Sequence, residues 1–288
     1  VNPVKVDDDA FRRTVESALT ERGYADPLWL ETTEDDAGVS MARQAIDEHV
    51  DLVLVAGGDG TVRVVCAELA GTDIPAAVLP AGTGNLLARN LGISLELGVA
   101  LPELLDGSEQ RIDSVLIKGD ELPGDRFVVM AGLGLDAAII DDAPDDLKKR
   151  VGWAAYVVST LKNLNHPFVH VEIIVDDGPP VRRRARTVVI GNVGTLQANI
   201  PLFPDATPDD GQIDAVVLAP RRISQWPRLA LGLVIKSWRE RHVERFIGKR
   251  IQVRADRVVG RELDGDAIAQ GTSLVAEVDP SALVVRVP

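Results

Sequence analysis

Residues 51–61, Asp-Leu-Val-Leu-Val-Ala-Gly-Gly-Asp-Gly-Thr, run from a short apolar stretch straight into a glycine turn. A second turn, Pro80-Ala81-Gly82-Thr83-Gly84-Asn85, follows within one strand-and-helix unit. Glycine lets a backbone adopt positive φ and approach a ligand closely, and a helix starting near Thr61 would aim its unpaired N–H groups at the same spot. The two turns together are expected to cradle phosphate. No Gly-Lys-Ser/Thr follows, and Gly57, Gly58 and Gly60 lack the Gly-x-Gly-x-x-Gly spacing, so neither of the two commonest phosphate loops is present. Asp59 in the middle of the first turn would repel phosphate unless a divalent cation lay between them, directly or through water. Backbone N–H groups from Gly58 to Thr61 and the hydroxyls of Thr61 and Thr83 can meet phosphate oxygens. Asn85 has two readings, an amide offered to the ligand or loop and a helix N-cap.

Two acidic clusters lie downstream. Asp264-Gly265-Asp266 is a carboxylate pair on a short turn, although Asp-Gly is also an ordinary hairpin signal. Asp209-Asp210-Gly211-Gln212-Ile213-Asp214 groups three carboxylates around a glycine turn. Oxygen ligands at that spacing suit Mg²⁺, and a solvated acidic turn is the alternative. The ligand ladder is too short for an EF-hand.

The two glycine loops resemble the nucleotide-binding signatures of the diacylglycerol kinase catalytic-domain family, which includes sphingosine kinases and bacterial soluble lipid kinases. The likeness covers nearly the whole chain, through Val1-Asn2-Pro3, Thr32-Thr33-Glu34, Ala131-Gly132-Leu133-Gly134-Leu135-Asp136-Ala137, Ile190-Gly191-Asn192, the 209–214 segment and Leu263-Asp264-Gly265-Asp266. The first loop is shared with the wider superfamily, NAD kinases included; the ordered set is more specific. The resemblance implies ATP and Mg²⁺ as cofactors and a lipid alcohol as acceptor, diacylglycerol first. It implies nucleotide binding by Thr33, Gly57, Gly58, Asp59, Gly60, Thr61, Gly82, Thr83 and Asn85. For Thr33 a strand-end hydroxyl bound to backbone is the alternative. It further implies that Asp264 deprotonates the lipid hydroxyl, and that Asp209, Asp214 and the main chain of Gln212 hold a structural metal. Asp266 stands where the family usually has Glu, and its shorter side chain reaches less far.

With 288 residues the chain can build a full core and two domains. No run of 18 apolar residues offers a membrane span, and no basic-then-apolar leader precedes the first strand-like segment, before which at least an initiator Met is expected. One cysteine, Cys66, allows no internal disulfide, which fits a reducing cytoplasm; on the helix after the first loop it reads as a buried structural thiol. A net charge of −13 argues against general nucleic-acid binding. The charge is segregated: residues 221–250 hold nine basic residues against Glu240 and Glu244, a net of +7, so the rest carries −20. One face is thus expected to meet something anionic, and peripheral association with the inner face of an anionic membrane is the reading, with a homodimer the only protein contact entertained.

The first 110 residues alternate strand and helix signals: strands near Val1, 28–31, 52–55 and 76–79, and helices over 9–21, 40–49, 62–70 and from Asn85. Such alternation predicts a mostly parallel sheet, with ligands beyond the carboxyl ends of its strands, where both glycine loops sit. After residue 111 the signals turn to β, at 127–130, 169–175, 187–190, 213–218, 251–254, 273–278 and 283–287. Two helices interrupt them, 153–164 and one from Pro227 to about Phe246. The second helix would group Trp226, Ala230, Leu233 or Val234, and Trp238 on one face among Arg228, Lys236, Arg239, Arg241 and Arg245. That composition suits a membrane interface, and equally a core-packed helix with a charged outer side. Arg182-Arg183-Arg184-Ala185-Arg186 serves the same surface or is the solvent side of a strand. The predicted architecture is therefore an α/β nucleotide-binding domain over 1–111 and a mainly antiparallel, β-rich lipid-substrate domain over 112–288. The resemblance implies the same two-domain arrangement, allows the terminal segment to return to the first domain, and places nucleotide in the cleft between the two. Two readings compete with a lipid kinase: a small-molecule kinase of the NAD kinase type, and a non-catalytic nucleotide-binding regulator.

Overall fold

In the computed structural model, which describes residues 1–6, 9–134, 168–195, 202–219 and 243–288, helical spacing of apolar residues builds the first half. Phe11, Val15 and Leu19 recur every four residues along α1 (Asp9–Glu21) and are its buried face. Ala42 and Ala45, one turn apart, are the buried residues of α2 (Val39–Asp47). The strand β1 (Val53–Gly57) leads through Gly58 into α3 (Asp59–Leu69), and β2 (Ala76–Pro80) leads through the second loop into α4 (Leu86–Asn90) and then α5 (Leu97–Asp106). β1 and β2 pair in parallel, Val53 with Ala76 through Gly57 with Pro80. The segments expected as strands at Val1 and 28–31 are not regular strands. Each makes isolated bonds only: the Val1 amino group to Leu30 O, Thr32 N–H to Val1 O, and Asn2 N–H to Ala56 O. Directly after, the Asn2 carboxamide accepts the Val4 N–H and turns the chain away. A cavity of about 470 Å³, lined among others by Leu28, Leu30, Met41, Val53 and Val55, lies beside them.

The remaining described elements are strands: β3 (Ser108–Gly119), β4 (Leu122–Phe127), β5 (Met130–Leu133), β6 (Val169–Val175), β7 (Val181–Ala185), β8 (Thr187–Gly191), β9 (Ile213–Leu218), β10 (Val243–Gly248), β11 (Arg250–Leu263) and β12 (Asp266–Val287). The chain divides into two compact units, Val1–Ser114 with Pro280–Pro288, and Val115–Asp279. It leaves the first unit within β3 and re-enters it within β12. In the first unit the end of β12 lies parallel to β2, Val285 against Ala76. The second unit is antiparallel throughout its described pairs: β5 with β8, β8 with β9, β9 with β10, and β11 with β5, β6 and β12. Its core is a continuous cluster including Phe127, Leu133, Ile173, Ile190, Ile213, Val253 and Leu274.

Three expectations need correction. The strand expected over 127–130 is broken, β4 ending at Phe127 and β5 starting at Met130, because the N–H groups of Val128 and Val129 turn toward the Asp264 carboxylate. The two strands expected at 273–278 and 283–287 are one 22-residue strand. Pro280 lacks an N–H to lose, and the next N–H, of Ser281, goes to the Asp113 carboxylate at 2.8 Å. The helix expected to end near Phe246 is instead strand β10 over 243–246, paired with β9 and placing Phe246 against the core. The rest of that helix, with Trp226, Arg239 and Arg241, lies outside the described residues, as do the 153–164 helix and Leu135, Asp136 and Ala137.

Candidate functional site

In the first unit the two glycine loops are in direct backbone contact. A Cβ on Gly82 would stand 2.7 Å from the Gly58 Cα, and one on Gly57 would stand 2.7 Å from the Thr61 Cβ. Neither Gly57 nor Gly58 needs positive φ; Gly58, the N-cap of α3, has φ −84°. The expected conformational reason for these glycines is therefore replaced by a steric one: Gly57 leaves room for the Thr61 side chain, and the two loops touch through the bare backbone of Gly58 and Gly82.

Asp59 also differs from expectation. Its carboxylate accepts the N–H of Asn85 at 3.1 Å and of Leu86 at 2.6 Å, so the first residue of α3 is tied to the start of α4. These two backbone N–H groups meet part of its charge. Asn85 has φ +49° and occupies the N-cap position of α4, yet its side chain does not cap. It folds back on Gly82 instead, Oδ1 accepting the Gly82 N–H and Nδ2 donating to the Gly82 carbonyl, both at 2.9 Å. Gly82, Asn85, Asp59 and Gly58 thus form one bonded unit. The Thr61 hydroxyl is buried 3.5 Å from Asn2 Nδ2, whereas Thr83 is exposed. Gly60 sits in the first turn of α3. Thr33 is exposed, and its hydroxyl accepts the Asp36 N–H at 3.1 Å, the local backbone role. Hydrogen bonds from the Ser40 hydroxyl and from nearby N–H groups hold the Asp36 carboxyl down at about 2.

The second unit presents Asp264 on the β11–β12 hairpin. Asp264 and Gly265 both have positive φ, +47° and +92°, between the paired residues Leu263 and Asp266. That is the two-residue turn an Asp-Gly sequence favours. The Asp264 side chain is 2% exposed, and its carboxylate accepts three N–H groups, from Val128 at 3.1 Å, Val129 at 3.0 Å and Met130 at 2.7 Å. Asn192, also fully buried, braces the same bend by donating to the Val128 carbonyl at 3.2 Å from Nδ2 and to the Val129 carbonyl at 2.9 Å from its backbone.

Two residues earlier stands Glu262, whose importance the sequence reading missed. It is 1% exposed, and burial, reinforced by the Asp264 charge, pushes its carboxyl up to about 8. Its place at the end of β11, directly before the Leu263–Asp266 turn, was the available signal. Arg261, next along the strand, is fully buried and gives its guanidinium to the carbonyls of Ala269, Gln270 and Ser273. Gly271 makes room for it: a Cβ there would lie 2.5 Å from the Arg261 Cζ.

The acidic segment at 209–214 leads into β9. Asp214 is buried and bonded to Arg245, Oδ1 to Nε at 2.5 Å, while Asp209 and Gln212 are exposed. The intervening Asp210 carboxylate turns onto the N–H groups of Gln212 and Thr207. Among the described residues no group of three His, Cys, Asp or Glu side chains is placed to hold a metal ion. Arg245, expected on a membrane face, also reaches Asp205 at 2.7 Å. The basic run at 182–186 is likewise engaged: Arg182 pairs with Glu172, Arg183 with Glu244, and Arg184 and Arg186 lie over the Phe168 ring at 4.1 and 4.3 Å.

Comparison with known proteins bears on both units. The diacylglycerol kinase catalytic domain family matches residues 3–117, and the YegS C-terminal NAD kinase beta sandwich-like domain matches residues 128–287. A probable lipid kinase YegS-like protein of Pseudomonas fluorescens is 31% identical over 256 residues, which is 86% of this chain and 81% of that one. A diacylglycerol kinase of Bacillus subtilis is 27% identical over 254 residues, 85% and 80% of the two chains. Among solved structures, a putative diacylglycerol kinase from Bacillus anthracis superposes with a TM-score of 0.81 at 22% identity, covering 100% of this chain and 93% of that one, a likeness of fold. With both domain families matched in order and this relative aligned along most of both chains, the protein belongs to the diacylglycerol kinase catalytic-domain family of lipid kinases, in its two-domain, YegS-like form.

Proposed function

We propose that this lipid kinase transfers the γ-phosphoryl group of ATP to the hydroxyl of a lipid alcohol, diacylglycerol being the first candidate acceptor. The observation that carries the nucleotide half is the bare contact between Gly58 and Gly82, which brings the two glycine loops together as closely as backbone allows. A loose phosphoryl-transfer transition state asks the protein mainly to position and stabilise charge. The backbone of Gly57 to Thr61 and of Gly82 to Asn85 is rigidly latched by Asp59 and by the Asn85 carboxamide, which suits that task. Thr83, exposed beside Gly82, adds a hydroxyl; Thr33 is a weaker candidate because its hydroxyl is used locally. ATP supplies the transferable group, and Mg²⁺ enters with it as the counter-ion of its phosphates.

Asp264 is the proposed acceptor of the acyl glycerol's hydroxyl proton. Its three backbone bonds fix the carboxylate so that the acceptor must come to it. Charge segregation in the sequence supports a membrane-bound lipid reached from an anionic surface; Arg245, bonded to Asp214 and Asp205, is not part of that surface. The test is incubation with labelled ATP and a panel of lipid alcohols, NAD and water-soluble glycerides, the lipids presented in neutral and anionic vesicles. Label in phosphatidic acid, formed faster on anionic vesicles and suppressed by salt, is the expected result. Label in NADP alone would move the protein to the small-molecule branch of the superfamily.

A further inference from the structure

We propose that Glu262 is a positioning residue for phosphoryl transfer: buried as an uncharged acid, it fixes the Leu263–Asp266 turn that carries Asp264. The proposal rests on the kinase reading for its effect on rate, but not for the state of the side chain.

The geometry is specific. Glu262 Oε2 accepts the N–H of Gly265, the residue after Asp264, at 3.1 Å. Oε1 is buried and has no hydrogen-bond partner among the described residues. Across the strand pair stands Gly132, and a Cβ there would lie 2.7 Å from that same oxygen, so the side chain fills the space a residue at 132 would otherwise take. An ionised carboxylate with an unpartnered buried oxygen would bear its full desolvation cost. The charges that face Glu262 make this worse, since Asp264 and Asp266 on its own hairpin are both acids. β5 offers the backbone of Gly132, β12 offers Ala267 opposite, and the neighbouring Arg261 guanidinium is occupied with carbonyls of the 269–273 segment. Burial together with those two acids raises the Glu262 carboxyl to about 8 from an ordinary 4.5, so at neutral pH it is protonated.

Two consequences follow. Ionisation would put a second negative charge behind Asp264 and loosen the turn, so transfer should decline as pH rises through about 8. Folding should respond independently of activity. A group with a raised folded pKa binds more protons folded than unfolded, so its stabilising effect is complete below about 4.5 and is lost as pH climbs to about 8.

The experiment compares wild type, Glu262→Gln and Glu262→Ala. Gln keeps the uncharged shape and a carbonyl oxygen for the Gly265 N–H. Its kcat is expected within about threefold of wild type at neutral pH, without the wild-type decline of about tenfold between pH ~7 and pH ~9. Ala, which removes the hold, should lower kcat about tenfold or more with the KM for ATP unchanged. In parallel, the wild-type melting temperature should fall relative to that of the Gln variant as pH is raised from about 5 to about 8. A Gln variant with the wild-type pH profile, or melting curves that stay parallel, overturns the proposal. Should no acceptor be phosphorylated, the kinase reading fails by itself, and the melting comparison still decides for or against an uncharged, turn-holding Glu262.

Discussion

Three N–H groups converge on the Asp264 carboxylate, and this decides what substitutions there can report. Asp264→Asn is expected to reduce transfer by about 10²-fold or more with ATP affinity nearly unchanged, because the amide cannot take the hydroxyl proton. It should also cost about 1–3 kcal/mol of stability, since an NH₂ group would face donors where an acceptor stood. Single-turnover rates, ATP titration and thermal melting separate the two effects; a loss of ATP binding as large as the loss of rate would remove Asp264 from the role of base. Gly82→Ala tests the cradle: pressing a methyl group against the Gly58 Cα should weaken ATP binding by about tenfold or more, about 1.4 kcal/mol, with little change in the second unit. Calorimetric titration with ATP reads it directly. At this scale the sequence announced residue types well and partners poorly. The glycines, Asp59, Asn85 and Asp264 all stood out, but spacing alone could not show that Asp59 bonds the start of α4 or that Asp264 bonds a bend 134–136 residues away in sequence.

Elements with uniform periodicity were legible. α1 carries an apolar residue every fourth position, and β6 and β9 fall where the β-branched runs predict. What failed were places where a side chain overrides local pattern: the bend at Val128 and Val129 imposed by Asp264, and β10, whose Val-Glu-Arg-Phe-Ile-Gly stretch looked like the end of a basic helix. β10 is a strand in part because Arg245 belongs to Asp214 on β9 next to it. Arg245→Met should therefore leave a buried carboxylate without its cation, at a cost of about 3 kcal/mol. Burial already raises the Asp214 carboxyl above its ordinary value, against the pull of Arg245. Without Arg245 the rise grows, the folded state holds the proton over a wider range, and the variant is expected to be most defective near neutral pH and to recover toward mild acid. Denaturant melts at several pH values check this; equal losses at all pH values would mean that Asp214 gains no proton.

The whole molecule is built from a first unit that is discontinuous in sequence. Residues 280–288 join residues 1–114, the last strand lying parallel to β2 with Leu283, Val284 and Val285 buried. Arg286 holds the carbonyls of Leu104 and Leu105, and Gly71 N–H donates to Ala282 O. Deleting residues 280–288 is accordingly expected to melt the first unit and abolish ATP binding, not merely to trim an end; a deletion variant that still binds ATP would refute this. The domain count and the α/β-then-β order were readable from the change in texture after residue 111. The return of the chain was suggested by resemblance alone, because one more apolar β segment carries no mark of which sheet receives it. That return also orders events in time. On a ribosome, residues 1–114 are made long before residues 280–288 and lack the strand that covers β2 until those have been synthesised. The nascent protein thus carries an exposed apolar sheet edge while residues 115–279 are made, the interval in which a chaperone has the most to shield.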